Sequence, residues 1–180
     1  MLNPDGVILG NYRTGISGRD LNRVYINPNE IHHPTIFHVK RLIKTLKTTH
    51  DIFGYFDFHG HGRKDNVFLY GLPYPEDKRM FYMIRVLPKL LSDISEMFRY
   101  SSCSYHLNKG KRETARAVMS NEFGIKQVFT VEASLAGFMR MRGDAGNGDE
   151  EEFVAFDAEG FRKIGEAIGV GLRGLIMYSS

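Results

Sequence analysis

The chain has 180 residues, 42% of them hydrophobic and 25% charged, with 19 Gly, 6 Pro, 1 Cys and no Trp. This suits one compact domain of ordinary size and excludes a disulfide scaffold, because Cys103 has no partner in the chain. Aromatic residues at 12% exclude wholesale disorder, and the net charge of +3 is too small to argue for a nucleic-acid partner.

No apolar run approaches the roughly 20 residues that cross a bilayer. Residues 1–10 lack the basic head and apolar middle of a secretory signal. An intracellular, reducing location is the simplest expectation.

In chain order, residues 2–7 read as a turn entering an extended run, since Asn-Pro and Asp-Gly are turn punctuation. Residues 35–50 place Ile36, Phe37, Val39, Leu42, Ile43 and Leu46 at helical spacing. The basic run Lys40, Arg41, Lys44 and Lys47 falls on the opposite face, as a solvated surface that can still attract an acidic tail. Residues 52–59 carry apolar side chains at both parities, as in a strand buried on both faces. Residues 67–70 form a second short strand. Residues 76–98 read as a long amphipathic helix kinked at Pro88.

A short helix over 114–123 ends at Gly124, well placed as its cap. Residues 125–131 form another strand, and 142–152 a polar, glycine-containing loop. The last helix, 157–178, carries Phe161, Ile164, Ile168 and Leu172 at spacings of three and four. Strands interleaved with helices predict a layered α/β fold.

Three places carry candidate chemistry. His59 sits where a strand gives way to the glycine-rich Gly60-His61-Gly62, a position that suits metal binding or proton transfer, or else a loop histidine bonded to backbone. Glu132 ends an apolar strand, where a carboxylate requires either a structural ion pair with an arginine or work as a general base. Residues 11–23 hold Arg13, Arg19 and Arg23 with Asn11 and Asn22 among glycines. Guanidinium groups grip carboxylates through two parallel bonds, so this cluster suits an anionic substrate group.

The order of these motifs is more specific than any one of them. Asn3-Pro4-Asp5-Gly6, Gly10-Asn11-Tyr12-Arg13, Gly18-Arg19-Asp20-Leu21-Asn22-Arg23, Asp57-Phe58-His59-Gly60-His61, Glu113-Thr114-Ala115-Arg116 and Thr130-Val131-Glu132 follow one another along nearly the whole chain. This order resembles the zinc metallocarboxypeptidases, and most of all their cytosolic branch, which removes glutamates from tubulin tails and similar acidic chains.

The resemblance implies a mixed β-sheet sandwiched by helices and a Zn2+ cofactor. It gives His59, in preference to His61, the place of the third zinc ligand. Arg13 falls at the position that polarises the scissile carbonyl, and Asn22 and Arg23 at the pair that clasps the terminal carboxylate. Glu132 matches the base that takes a proton from zinc-bound water and hands it to the leaving amine. Arg116 falls where side-chain preference is set, and a cation there implies a terminal Glu or Asp. The implied partners are acidic protein C-terminal tails, tubulin among them, with no nucleic acid and no membrane; the implied location is cytoplasmic and microtubule-associated.

Two departures accompany the resemblance. The family's first two zinc ligands, a His and a Glu separated by two residues, precede the Asn-Pro-Asp-Gly turn, and no His-x-x-Glu occurs in this sequence. The tyrosine that secreted relatives swing over substrate has its nearest counterpart in Tyr105. Residues 1–180 are therefore expected to be a single, N-terminally truncated carboxypeptidase catalytic domain. It should hold one zinc ligand, lack stoichiometric zinc, dissolve poorly, and expose as an edge a strand that is central in the family. The alternative is a non-catalytic module that binds carboxylate tails without metal.

Overall fold

The computed structural model describes residues 1–142 and 150–179. It divides the chain into two compact units: Met1–Tyr55 with Leu107–Val128, and Phe56–His106 with Phe129–Ser180.

The first unit is largely helical. Its opening is α1 (Pro4–Leu9) rather than an extended run. Asn3 caps this helix by accepting from Gly6 N at 3.1 Å, Pro4 stands at the first helical position, and Asp5 lies in the first turn. All three favour a helix start, so residues that read as turn signals are cap signals here. The helix α2 (Pro34–Leu46) buries Ile36 and Ile43.

The basic run on α2 is not uniformly solvated. The Lys40 ammonium donates to the carbonyls of Tyr25 (2.8 Å) and Ile26 (3.1 Å) and pairs with Glu122 at 2.7 Å, leaving its side chain only 13% exposed. Lys47 donates to the carbonyl of Phe123 at the end of α4 (Ala115–Phe123), where a cation also suits the helix dipole. Gly124 follows α4 at φ 68°, the left-handed conformation that a glycine cap adopts without strain.

The second unit holds a sheet in the order β1 (Gly54–His61), β3 (Gln127–Ser134), β2 (Val67–Tyr70). The β2 and β3 strands pair antiparallel, with Phe68 opposite Glu132. Among the described residues β1 is an edge, and this corrects the expectation of burial on both faces. Its residues are half-buried or exposed, and Phe58 is 62% exposed.

Helices α3 (Lys78–Ile94) and α5 (Ala158–Ser179) join one core with the sheet, through Val67, Leu69, Leu87, Leu91, Phe129, Val131, Ile164 and Ile168. Each such fully buried aliphatic or aromatic side chain contributes about 2 kcal/mol. At Gly171 on α5 an added Cβ would lie 2.8 Å from Leu91 Cδ2 of α3, so glycine permits the close approach of the two helices. Asp77 caps α3 through Met80 N, and the helix runs on through buried Pro88.

It stops at Ile94 and not near 98, because the chain beyond turns to run beside β2. Val67 N donates to the Met97 carbonyl and Arg99 N to that of Val67, each near 2.9 Å. The expected loop over 142–152 is bounded by a hairpin, β4 (Gly137–Arg142) with β5 (Glu150–Ala155). Arg140 faces Glu152 and bonds its carboxylate at 2.9 Å. The remainder of that loop, residues 143–149, lies outside the described residues.

Candidate active site

In the first unit the arginine-rich loop is built around Asp20. The loop's backbone is held from α1: the Asn3 amide donates to the carbonyls of Arg13 and Thr14, at 3.5 and 3.3 Å. Asp20 opens a single 3-10 turn, Leu21–Arg23, by accepting from Asn22 N at 2.9 Å through Oδ1. Its other oxygen pairs with Arg13 Nε at 3.1 Å and stands 3.9 Å from Arg23 NH1.

Asn22 reaches the start of α4, where its Oδ1 accepts from Ala115 N at 2.9 Å. That oxygen is given to the backbone. Arg116, next along α4, is 6% exposed. Of the four residues expected to handle substrate, Arg13 and Arg23 meet Asp20, and Asn22 bonds the backbone of Ala115, the residue before Arg116. Asp20 has no role that residue types alone would assign. Lys111 also belongs here: its ammonium pKa is lowered by partial burial first, then by Arg23, Arg13 and Arg116, against the raising influence of Asp20.

In the second unit, His59 and Glu132 lie on neighbouring strands. His59 Nε2 bonds Asp57 Oδ2 at 2.8 Å. A carboxylate at that nitrogen fixes the proton there, directs the lone pair to Nδ1 and orients the ring, as carboxylates do for metal-bound imidazoles. The period of two along a strand signals this pairing, because residues 57 and 59 share a face.

His61 plays a different part. Its Nδ1 accepts from the backbone of Arg63 and Lys64, at 3.0 and 3.1 Å, and its ring meets Phe68 edge-on at 5.2 Å. Glu132 is half-buried, and among the described residues no salt bridge reaches it. Tyr105 packs against the core with the Arg85 guanidinium 4.2 Å above its ring, and burial pushes its hydroxyl pKa up.

A catalytic zinc takes three protein ligands. Among the described residues no three His, Cys, Asp or Glu side chains stand together to hold a metal. His59 is one donor, and the donor set of the described residues does not by itself fit the metal.

No protein-family model matches the chain. Cytosolic carboxypeptidase 1 of Danio rerio is 43% identical over 150 residues, covering 76% of this chain and 13% of the relative. The Homo sapiens protein of that name is also 43% identical over 150 residues, with 76% and 12% covered. Cytosolic carboxypeptidase 3 of Bos taurus is 39% identical over 139 residues, with 76% and 14% covered. The chain therefore spans 12–14% of the length of these relatives.

Among solved structures, a metallo-carboxypeptidase from Burkholderia cenocepacia matches with a TM-score of 0.78 at 21% identity, over 99% of this chain and 44% of that one. A putative carboxypeptidase A from Shewanella denitrificans matches at 0.73 and 23% identity, over 98% and 45%. These two share the fold, a mixed α/β architecture with helices flanking the sheet. By sequence the chain belongs to the cytosolic carboxypeptidase family, and its fold is the one seen in metallo-carboxypeptidases.

Proposed function

We propose that residues 1–180 form a single catalytic domain of a carboxypeptidase that removes acidic residues, above all glutamate, from protein C-terminal tails such as tubulin polyglutamate. The observation that carries this reading is the group of Arg13, Asn22, Arg23 and Arg116 gathered around Asp20 and the start of α4. Arg23 and the Asn22 amide clasp the terminal carboxylate, and buried Arg116 pairs with the acidic side chain beside it. Arg13 polarises the scissile carbonyl and steadies the oxyanion.

Glu132 takes a proton from the attacking water and delivers it to the leaving amine. His59, oriented by Asp57, would supply one ligand to a zinc ion, whose part is to polarise and activate. The cytosolic relatives support a cytoplasmic location, and the tubulin reading adds association with microtubules.

The test is release of glutamate from a peptide ending in several glutamates, with and without chelator, beside the same peptide as its C-terminal amide. Release from the acid alone, abolished by chelator, supports the reading. Equal release from acid and amide would refute it. The incomplete donor set favours a second reading, a module that binds carboxylate tails without cleaving them. Binding that survives chelation, without release, would support that one.

A further inference from the structure

The three-stranded sheet ends on β1, whose outer side pairs with no strand among the described residues. The other side of the sheet is covered, since Val67 and Tyr70 of β2 bridge Phe98 and Ser104. Just beyond β3, Leu135 N donates to the His61 carbonyl at 2.9 Å. Bonding direction alternates along a strand, so Asp57, His59 and His61 bond toward β3. Phe56, Phe58 and Gly60 therefore turn their N–H and C=O groups to the free edge. The usual guards of such an edge are missing: Gly54–His61 contains no Lys and no Pro, and Phe58 is 62% exposed.

We infer that β1 is an interface for a second copy of this chain, pairing antiparallel with its own counterpart across a two-fold axis at Phe58. The strand is complementary to itself in that register. Phe58 meets the second copy's Phe58. Asp57 stands opposite the second copy's His59, a carboxylate against the kind of ring it already bonds at 2.8 Å within one chain. Phe56 lies opposite Gly60, where a ring covers bare backbone. Exposed Leu135 stands beside that glycine, its Cδ2 2.7 Å from where a Cβ would be. A shift of two residues either way sets Asp57 against Asp57 or His59 against His59, and a shift of one sets opposite faces together. The contact closes at two copies because it uses the same edge of each.

The experiment follows the mass of the whole chain by sedimentation equilibrium from about 1 to about 100 μM. The native chain passes from monomer to dimer over this range. Phe58→Lys, which sets two ammonium groups on the axis, raises the dissociation constant at least about ten-fold. In a Cys103→Ser background, Phe58→Cys oxidises to a covalent dimer, because the Cα atoms of a hydrogen-bonded antiparallel pair lie about 5.5 Å apart, within disulfide reach. Gly62→Cys, also exposed but beyond the strand, does not. Equal cross-linking at the two positions overturns the inference, as does a dimer that Phe58→Lys leaves intact.

Hydrogen exchange of the native chain decides the matter even where a variant fails to fold. The amides of Phe56, Phe58 and Gly60 gain protection as concentration rises, while those of Asp57 and His59 do not change. A chain that stays monomeric throughout overturns the inference. Protection of those three amides at every concentration, without a dimer, would show that the chain covers its own edge, and the inference falls. Growth past the dimer into larger assemblies also overturns it, since the pairing would not have closed.

Discussion

Changing Asn22 to aspartate keeps an oxygen on the Ala115 backbone N–H while turning an amide donor into a negative charge. In the native chain that oxygen bonds Ala115 N at 2.9 Å, within the first turn of α4. The carboxylate of Asn22→Asp makes the same bond at a helix N-terminus, where negative charge is favoured by roughly 0.3–1 kcal/mol. Stability should therefore stay within about 0.5 kcal/mol of the native value, whereas Asn22→Ala, which loses the acceptor, should cost about 1 kcal/mol.

Binding moves the other way. A substrate carboxylate about 5 Å from the new charge is repelled by about 3 kcal/mol at an effective dielectric of 20. Because the site is half-exposed, about 2 kcal/mol of this survives, or roughly a 30-fold rise in Kd. Urea unfolding followed by far-UV circular dichroism, a probe that needs no Trp, reads the first quantity; anisotropy of a peptide ending in Glu-Glu reads the second. Large destabilisation of Asn22→Asp, or undiminished binding of the acidic peptide, would refute the placement of Asn22 between helix and substrate.

Lys40→Met should destabilise the chain by about 3 kcal/mol, since two carbonyls lose a charged donor inside the first unit. Glu122→Gln, which removes the more exposed partner, should cost under about 1 kcal/mol; equal losses in urea unfolding would contradict this division. Burial pushes the Cys103 thiol up to about 11, so iodoacetamide at pH 8 should label it slowly in the native chain and quickly in urea. The native state favours the neutral thiol, so that contribution to stability is complete below pH 9 and is lost as pH rises toward 11; rapid native labelling would disprove the burial. On the proposed reading, Glu132→Gln should abolish turnover while peptide binding stays within about two-fold, because only proton transfer is removed; turnover at the native rate would show that another group is the base.

Elements whose signals are local read correctly from the sequence. The β2 strand, α4 with its Gly124 cap, and α5 each depend on patterns inside one short segment, where spacing and cap chemistry are enough. The order of motifs likewise sufficed to find the family. Errors arose where the deciding partner lay elsewhere. Asn3 made a helix of an apparent turn by bonding Gly6 N while its amide held the Arg13 loop. The β4–β5 hairpin sets residues 137–142 against 150–155, with Arg140 opposite Glu152 twelve residues on, a pairing that no window of apolar periodicity contains.

Within the site the same contrast holds. Residue types along the chain gave the expectation of carboxylate-gripping chemistry, but not that Asp20 pairs with Arg13 and Arg23 or that Asp57 bonds the His59 ring. Lys40 and Lys47, alike in sequence to their solvated neighbours, turned out to bond backbone carbonyls contributed by distant segments. A charge states its chemistry in the sequence, whereas its role depends on which oxygens lie within about 3 Å of it, and those are set only when the chain has folded back upon itself.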